Sequence, residues 1–190
     1  MIPRALLILL LCLPVPGRAE TPAWDIQQLM QGLAQVQESK ARFVERKYLS
    51  VLNRPLESSG TLSFQAPGHL EKHTLAPKTE SLVLDQGVLT IASAARKRTL
   101  VLQEYPAIWA FVESIRSTLA GDLPTLERFY KIELEGGAAH WKMRLLPIEQ
   151  KTREVIREIR IDGRGNRLES IEILESNGDH SLMKVVEDAP

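Results

Sequence analysis

Near its start, the chain spaces its hydrophobic residues at intervals of three and four. Between Trp24 and Glu38 these residues are separated by Asp25 and several glutamines. This spacing predicts an amphipathic helix, because residues three and four apart lie on one helix face. Thr21, followed by Pro22, suits the N-cap of this helix. Its hydrophobic face consists of Ile26, Leu29, Met30, Leu33 and Val36.

After this helix, hydrophobic and polar residues mostly alternate, which is the pattern of half-buried strands. Turn-forming residues recur at short intervals, and Asn177-Gly178 between two strand-like runs is the strongest hairpin signal. Regular antiparallel hairpins of this kind favour a sandwich or a barrel-like sheet. The predicted strands cover residues 61–65, 82–84, 88–91, 99–103, 140–145, 152–162, 167–175 and 181–186.

One segment, residues 106–119, interrupts the strand pattern with a second predicted helix. Its hydrophobic residues spread widely around the helix, and Glu113, Arg116 and Ser117 form only a narrow polar stripe. A sheet with one apolar face, closed over by such a helix, could hold an acyl chain at ~0.8 kcal/mol for each buried methylene. The alternative is that the helix completes an ordinary core, and periodicity does not separate the two.

The first nineteen residues have the three parts of a secretory signal peptide. Arg4 precedes a hydrophobic run over residues 5–15, and a small-residue cleavage site ends at Ala19. The run is shorter than the ~20 residues that span a bilayer, which argues against a retained anchor. Cys12 lacks the preceding small residue of a lipoprotein site. We therefore predict a cleaved signal peptide over residues 1–19 and a single domain over residues 20–190.

Composition then narrows the classes of function. The chain has 24 basic and 24 acidic residues, and loss of the signal peptide leaves 22 basic residues and a net charge of −2. Nucleic-acid binding proteins usually show a strong basic excess, so no such partner is predicted. The remaining chain has no cysteine, so its core rather than disulfides must stabilise it.

The sequence carries no recognised catalytic motif, such as a Gly-x-Ser-x-Gly elbow or a glycine-rich phosphate loop. His69 and His73 would share a strand face but lie ~13 Å apart, too far to share a metal ion. The carboxylates are scattered among basic neighbours as in a mixed-charge surface. We predict no enzyme, no metal and no cofactor.

Three adjacent cations, Arg96, Lys97 and Arg98, stand between two predicted strands. They could form a docking patch for an acidic membrane or a partner protein. The alternative is a solvated turn without a function of its own.

The order of the motifs resembles the periplasmic outer-membrane lipoprotein carrier LolA family, in particular its divergent LolA-related branch. The resemblance covers roughly residues 24–186. It depends on residues 36–46 (VQESKARFVER), 59–70 (SGTLSFQAPGHL), 80–89 (ESLVLDQGVL) and a closing hairpin at 159–173. Each motif is weak alone, and their shared order and spacing carry the resemblance.

The resemblance implies an α+β, mostly β fold: a strongly curved, incomplete antiparallel β-barrel whose helices cover the concave apolar face. It implies a monomeric periplasmic carrier that takes acyl chains of lipoproteins or another lipid from an inner-membrane donor complex to an outer-membrane acceptor. An alternative is an accessory protein or enzyme acting on an acylated or polyene-type lipid. A third is a structural β domain that binds a protein along a sheet edge.

In this fold the second predicted helix would be the lid of the cavity. The expected lipid-binding residues are Ile108, Trp109, Phe111, Val112, Ile115 and Leu119 on the lid, and Phe43, Leu62, Phe64, Leu70, Leu89, Ile91, Trp141, Met143 and Leu145 on the strands. One position departs from the family, which has an arginine before Pro67 that helps to gate the lid. Here that residue is Ala66, whose methyl group cannot make the arginine's hydrogen bonds.

Overall fold

A computed structural model describes residues 24–187, with the side chain of Glu187 left out. The predicted signal peptide and the Thr21 cap lie outside these residues. In chain order the elements are α1 (Ile26–Ala34), β1 (Glu38–Tyr48), β2 (Leu56–Gln65), β3 (His69–Ala76), β4 (Glu80–Asp85), β5 (Val88–Ser93), β6 (Lys97–Val101), a 3-10 helix (Leu102–Glu104), α2 (Pro106–Ala120), α3 (Leu123–Phe129), β7 (Tyr130–Gly137), β8 (His140–Pro147), α4 (Gln150–Arg153), β9 (Ile156–Arg164), β10 (Arg167–Glu175) and β11 (His180–Glu187).

All eleven strands form one antiparallel sheet in the order β6-β5-β4-β3-β2-β1-β11-β10-β9-β8-β7. The order follows from two meanders, β1–β6 and β7–β11, in which each strand pairs with its neighbour in sequence. Pairing of β1 with β11 joins the two meanders at the centre of the sheet. The edge strands β6 and β7 do not pair with each other, so the barrel is incomplete. The predicted fold class is confirmed.

Helix α1 is shorter than its periodicity predicts. Its N-cap is Asp25, whose carboxylate accepts a hydrogen bond from the Gln28 backbone at 2.9 Å, while the Gln28 side chain bonds back to the Asp25 N–H. This reciprocal cap fixes the start of the helix. The helix ends at Ala34, and Val36 belongs to the connection that leads into β1.

The second helix, α2, begins at Pro106 as predicted and ends at Ala120, where Gly121 takes the left-handed conformation with φ 65°. Helices α3 and α4 were not predicted from the sequence. Both are short, with seven and four residues, so neither contains two full periods of a hydrophobic pattern. Helix α4 occupies the first residues of the strand predicted over 152–162, and the 3-10 helix occupies the end of the one predicted over 99–103.

The main core lies where α1, α2 and α3 pack on strands β7–β10. Inward residues of the strands alternate with outward polar ones, as the pleat requires. The fully buried members with the largest side chains are Trp141, Tyr130, Leu29, Leu33, Leu126, Met143, Leu145, Ile159 and Ile161. A smaller cluster, Leu84, Leu102 and Val112, lies under the other end of α2.

Among residues 24–187, no helix is both long enough and apolar enough to span a membrane.

An apolar cavity beneath helix α2

A cavity of about 680 Å³ lies between the concave face of the sheet and helix α2. Strands β1–β5, β10 and β11 form its wall, α2 covers it, and α1 adds Leu33 at one end. Such a volume is within the ~300–1,000 Å³ typical of pockets for small molecules. In this region, the side chains of the sheet and of α2 therefore leave the space between them unfilled.

Nine of the fifteen residues expected to bind lipid line this cavity. They come from β2, β3 and β5 and from the face of α2 that points to the sheet. These residues are Leu62, Phe64, Leu70, Leu89, Ile108, Phe111, Val112, Ile115 and Leu119. The structure thus brings the strand alternation and the hydrophobic helix face together around one space.

The other six expected residues are placed outside the cavity wall. Trp141, Met143 and Leu145 are fully buried on β8, in the packed core under α1 and α3. These three residues alternate with polar residues as the wall residues do, but neighbouring side chains of the core fill the space in front of them. Their assignment to the wall is therefore corrected.

Phe43, Ile91 and Trp109 also lie outside the cavity wall, so their predicted place in the wall is corrected. Phe43 is buried beneath the Lys72 ammonium, which lies 4.8 Å from its ring centre. Trp109 lies on α2 but packs edge-to-face on Phe129, with ring centres 5.2 Å apart. Ile91 is half-buried on β5, beyond the wall residue Leu89.

Several wall residues escaped the sequence analysis. Apolar members come from β1, β4, β10, β11, the end of α1 and the connection after it: Leu33, Val36, Ala41, Leu82, Leu84, Leu168, Ile171, Ile173, Met183 and Val185. The alternation of those on β10 and β11 was visible in the predicted strands 167–175 and 181–186. The missing information was the pairing of β11 with β1, which places the last strand beside the first.

One ion pair stands in this mostly apolar wall. The Lys72 Nζ lies 2.6 Å from Glu45 Oε2, and the two side chains are only 22% and 17% exposed. The Ser58 hydroxyl also approaches the same carboxylate, at 3.4 Å. Both charged residues contribute to the cavity wall. Sequence reasoning missed this pair because its partners are 27 residues apart on non-adjacent strands.

The polar stripe of α2 binds the helix to the rest of the fold. Arg116 Nε donates to Glu113 at 2.7 Å, and Arg116 Nη2 donates to Asp122 at 2.9 Å. Although partial burial opposes ionisation of Asp122, hydrogen bonds from Arg116 and Thr125 lower its pKa. Arg116 Nη1 also donates to the Pro67 carbonyl at 3.2 Å, in the turn between β2 and β3.

The turn that contains Ala66 and Pro67 is thus contacted by an arginine of α2. A guanidinium on α2 reaches the turn, instead of one on the turn reaching α2. Gly68 leaves room for it, since a Cβ there would lie 3.1 Å from Arg116 Cδ. Helix α2 is therefore hydrogen-bonded to the sheet through this turn.

The two histidines of β3 share a carboxylate rather than a metal ion. His69 Nε2 and His73 Nε2 lie 2.8 and 2.7 Å from the two oxygens of Glu71. The hydrogen bond to Glu71 raises the pKa of His69, and the hydrogen bonds from His73 and His69 lower the pKa of Glu71. Between residues 24 and 187, no group of three or more histidine or carboxylate side chains is arranged to hold a metal ion.

The basic run lies at one edge of the sheet. Arg96 is in the turn between β5 and β6, while Lys97 and Arg98 begin the edge strand β6. All three are exposed and lie outside the cavity wall.

An incomplete barrel with a helix over an apolar cavity defines a class of protein that can enclose an apolar molecule. A family model described as outer membrane lipoprotein carrier protein LolA-like matches residues 18–186. The chain belongs to this family, which confirms the resemblance. Members of the family are periplasmic carriers rather than enzymes, which indicates a lipid- or lipoprotein-binding carrier.

Three solved structures are similar to the chain at low identity. The LolA superfamily protein NE2245 from Nitrosomonas europaea is 9% identical with a TM-score of 0.46, over 88% of this chain and 96% of that one. LprF from Mycobacterium bovis is 11% identical with a TM-score of 0.36, over 87% and 93%. A DUF1329 family protein from Desulfovibrio piger is 11% identical with a TM-score of 0.39, over 86% and 91%. These values add nothing to the family assignment. A search of curated protein sequences gives no match.

Proposed function

We propose that this protein is a monomeric periplasmic carrier that shuttles the acyl chains of lipoproteins or another lipid from the inner towards the outer membrane. An inner-membrane donor complex would load it and an outer-membrane acceptor would unload it. The observation that carries the proposal is the cavity of about 680 Å³, walled by the apolar face of an open sheet and covered by α2.

The cavity supports binding by burial alone. Each methylene moved from water into an apolar site contributes ~0.8 kcal/mol, so a long acyl chain would bind without a covalent bond. Binding that depends on burial is reversible once the cover moves, as handover to an acceptor requires.

Helix α2 is the proposed lid. Five of its residues, Ile108, Phe111, Val112, Ile115 and Leu119, line the cavity. The sheet beneath it is continuous from β6 to β7, so movement of α2 would open the cavity without breaking strand pairing.

A direct test is native mass spectrometry of the protein released gently from periplasm. We expect a co-purified lipid in the wild type and its loss in Leu62→Asp, which would place a charge in the wall. Thr61→Asp is the matched control, because Thr61 is exposed on the same strand. Absence of bound lipid, together with failure to bind a neutral fluorescent probe, would refute the carrier function. The same spectrum tests whether the mature N-terminus is Glu20.

The basic run Arg96, Lys97 and Arg98 is the proposed docking patch for the donor or acceptor complex. Contacts between exposed charges fade over the ~8–10 Å screening length of physiological salt. Replacing all three with glutamine should therefore slow lipid transfer at low salt and leave lipid affinity unchanged. Loss of bound lipid from this variant would instead make the patch part of lipid binding.

A further inference from the structure

The ion pair in the cavity wall is not explained by burial of an acyl chain. Lys72 stands between two wall leucines, paired in register with Leu62 on β2 and Leu82 on β4. Glu45 is paired with Met183 on β11, another apolar wall residue. Lys72 is thus a charged residue between two hydrophobic register partners, and Glu45 lies between Met183 and Ser58.

Stability does not account for the pair either. Desolvation of two charges costs about as much as their attraction returns, and hydrophobic residues in place of a buried pair often give an equally stable or more stable fold. A wall that served only to hold hydrocarbon would gain from leucine or methionine at both positions. Stability alone therefore gives no reason for a charged pair at these two positions.

The pair has unused hydrogen-bonding capacity. A lysine ammonium has three donors and a carboxylate accepts about four hydrogen bonds. Within the described residues, Lys72 donates to the Glu45 carboxylate, and its other contact is the face of the Phe43 ring. Glu45 accepts from Lys72 and Ser58 through Oε2, which leaves Oε1 without a donor among residues 24–187. Two donors and one oxygen thus remain for a ligand.

We propose that Lys72 and Glu45 form a binding site for the uncharged, oxygen-bearing head of an acyl lipid, namely an acyl ester that also carries a hydroxyl. Lys72 would donate to the ester carbonyl, and Glu45 would accept from the hydroxyl. A net charge on the head is disfavoured, because one partner attracts it and the other repels it from 2.6 Å away. The proposal rests on the proposed function and adds polar recognition to it.

The test is displacement of the neutral probe N-phenyl-1-naphthylamine by three ligands with the same chain: monopalmitoylglycerol, methyl palmitate and palmitate. We expect monopalmitoylglycerol to bind about tenfold more tightly than methyl palmitate, because both esters offer a carbonyl to Lys72 but only monopalmitoylglycerol offers a hydroxyl to the charged Glu45. Palmitate should bind more weakly than monopalmitoylglycerol. In Glu45→Gln, the preference for monopalmitoylglycerol should largely disappear while methyl palmitate still binds. In Lys72→Met, both esters should bind several-fold more weakly, because both lose the donor to their carbonyl.

Arg46→Met and Glu57→Gln are the matched controls. These residues form an exposed ion pair at 2.9 Å on β1 and β2, outside the cavity wall. Thermal denaturation of each variant separates loss of binding from loss of folding. The preference for monopalmitoylglycerol over methyl palmitate is measured on the wild type itself, so it does not depend on any variant.

Equal wild-type binding of monopalmitoylglycerol and methyl palmitate would overturn the proposal. So would a preference that survives undiminished in Glu45→Gln, unchanged binding of both esters in Lys72→Met, or tightest binding of palmitate. Each of these results leaves the carrier function intact. Failure of the probe and all three ligands to bind would refute the carrier function itself, and this site with it.

Discussion

The two halves of the sheet present the same alternation of hydrophobic and polar residues, but one half is packed and the other faces a cavity. On β8 and β9 the inward residues Met143, Leu145, Ile159 and Ile161 have no exposed surface. On β2–β5, four inward residues remain half-buried and line the cavity, namely Leu62, Leu70, Leu82 and Leu89, although Phe64 and Leu84 on the same strands are buried.

The difference lies in what covers each half. Helices α1 and α3 contribute Leu29, Leu33 and Leu126 to the packed core, whereas in the smaller cluster only α2 and the 3-10 helix lie over the strands. Strand alternation therefore specifies that a face is apolar, and the number of helices over it decides whether it becomes core or cavity.

The largest predicted effect is a difference in the free energy of unfolding between a truncation in the packed half and one in the cavity half. Ile161→Ala should lower the free energy of unfolding by about 3 kcal/mol, because it leaves a hole in a close-packed core. Leu82→Ala should cost about 1 kcal/mol or less, since that side chain already borders empty space. Urea unfolding of both variants measures the difference. Equal losses would mean that the cavity half is as tightly packed as the other.

Truncation on the lid should affect binding more than folding. Ile115 lines the cavity and is only partly buried against the core, so Ile115→Ala should cost about 1 kcal/mol of stability. Phe111→Ala should cost more, because Phe111 packs against both hydrophobic clusters. Both variants should bind N-phenyl-1-naphthylamine several-fold more weakly, with exposed Ile148→Ala as the control. If both instead unfold readily and the wild type binds no probe, α2 is ordinary core.

Removing the hydrogen bonds that Arg116 donates to the β2–β3 turn and to its neighbours should speed opening of the cavity. Arg116→Met keeps the length of the side chain but loses the donors to Pro67, Glu113 and Asp122. Dissociation of the probe should become several-fold faster in stopped-flow measurements, as local opening requires less free energy. Trp109 should report the change, because its indole N–H donates to Glu113 at 3.3 Å. An unchanged dissociation rate would show that Arg116 does not hold the lid.

The smallest effect concerns the outer face of the packed half. Hydrogen bonds from Arg144 and Arg160 lower the pKa of Glu158 from its usual 4.5 to about 2. A lowered pKa means that ionised Glu158 stabilises the fold above about pH 4.5 and that this contribution disappears as the pH falls to about 2. Since both arginines are partly exposed, Glu158→Gln should cost about 1 kcal/mol or less at pH 7.

That difference between Glu158→Gln and the wild type should vanish near pH 2. Chemical denaturation of both proteins across this range measures it. A constant difference at all pH values would mean that the carboxylate charge contributes nothing.

Much of the fold could be read from the sequence, because its signals are long and local. Residues 106–119 carry enough helical periods to identify α2, and the hairpin at Asn177-Gly178 follows from its turn residues. Helices α3 and α4 could not be predicted in this way, because a helix of one or two turns is too short to show a repeating pattern of hydrophobic residues.

The site was only half predictable, for a reason that the two halves of the sheet make plain. Leu62 and Trp141 have the same alternating context in sequence, and only the helices above them separate a cavity residue from a core residue. The pair of Glu45 and Lys72 was hidden because charged residues in a strand read as outward positions. Their inward placement depends on register across three strands.

The pairing of β1 with β11 also sets when the cavity can exist. Hairpins within each meander join strands close in sequence and can form as soon as they are made. The cavity wall, however, includes Met183 and Val185 of β11 beside residues of β1. Strand β11 is the last of the eleven described strands in chain order, so the wall is incomplete beside β1 until β11 has been made and paired. Under the proposed function, lipid binding would therefore have to follow the pairing of β11 with β1.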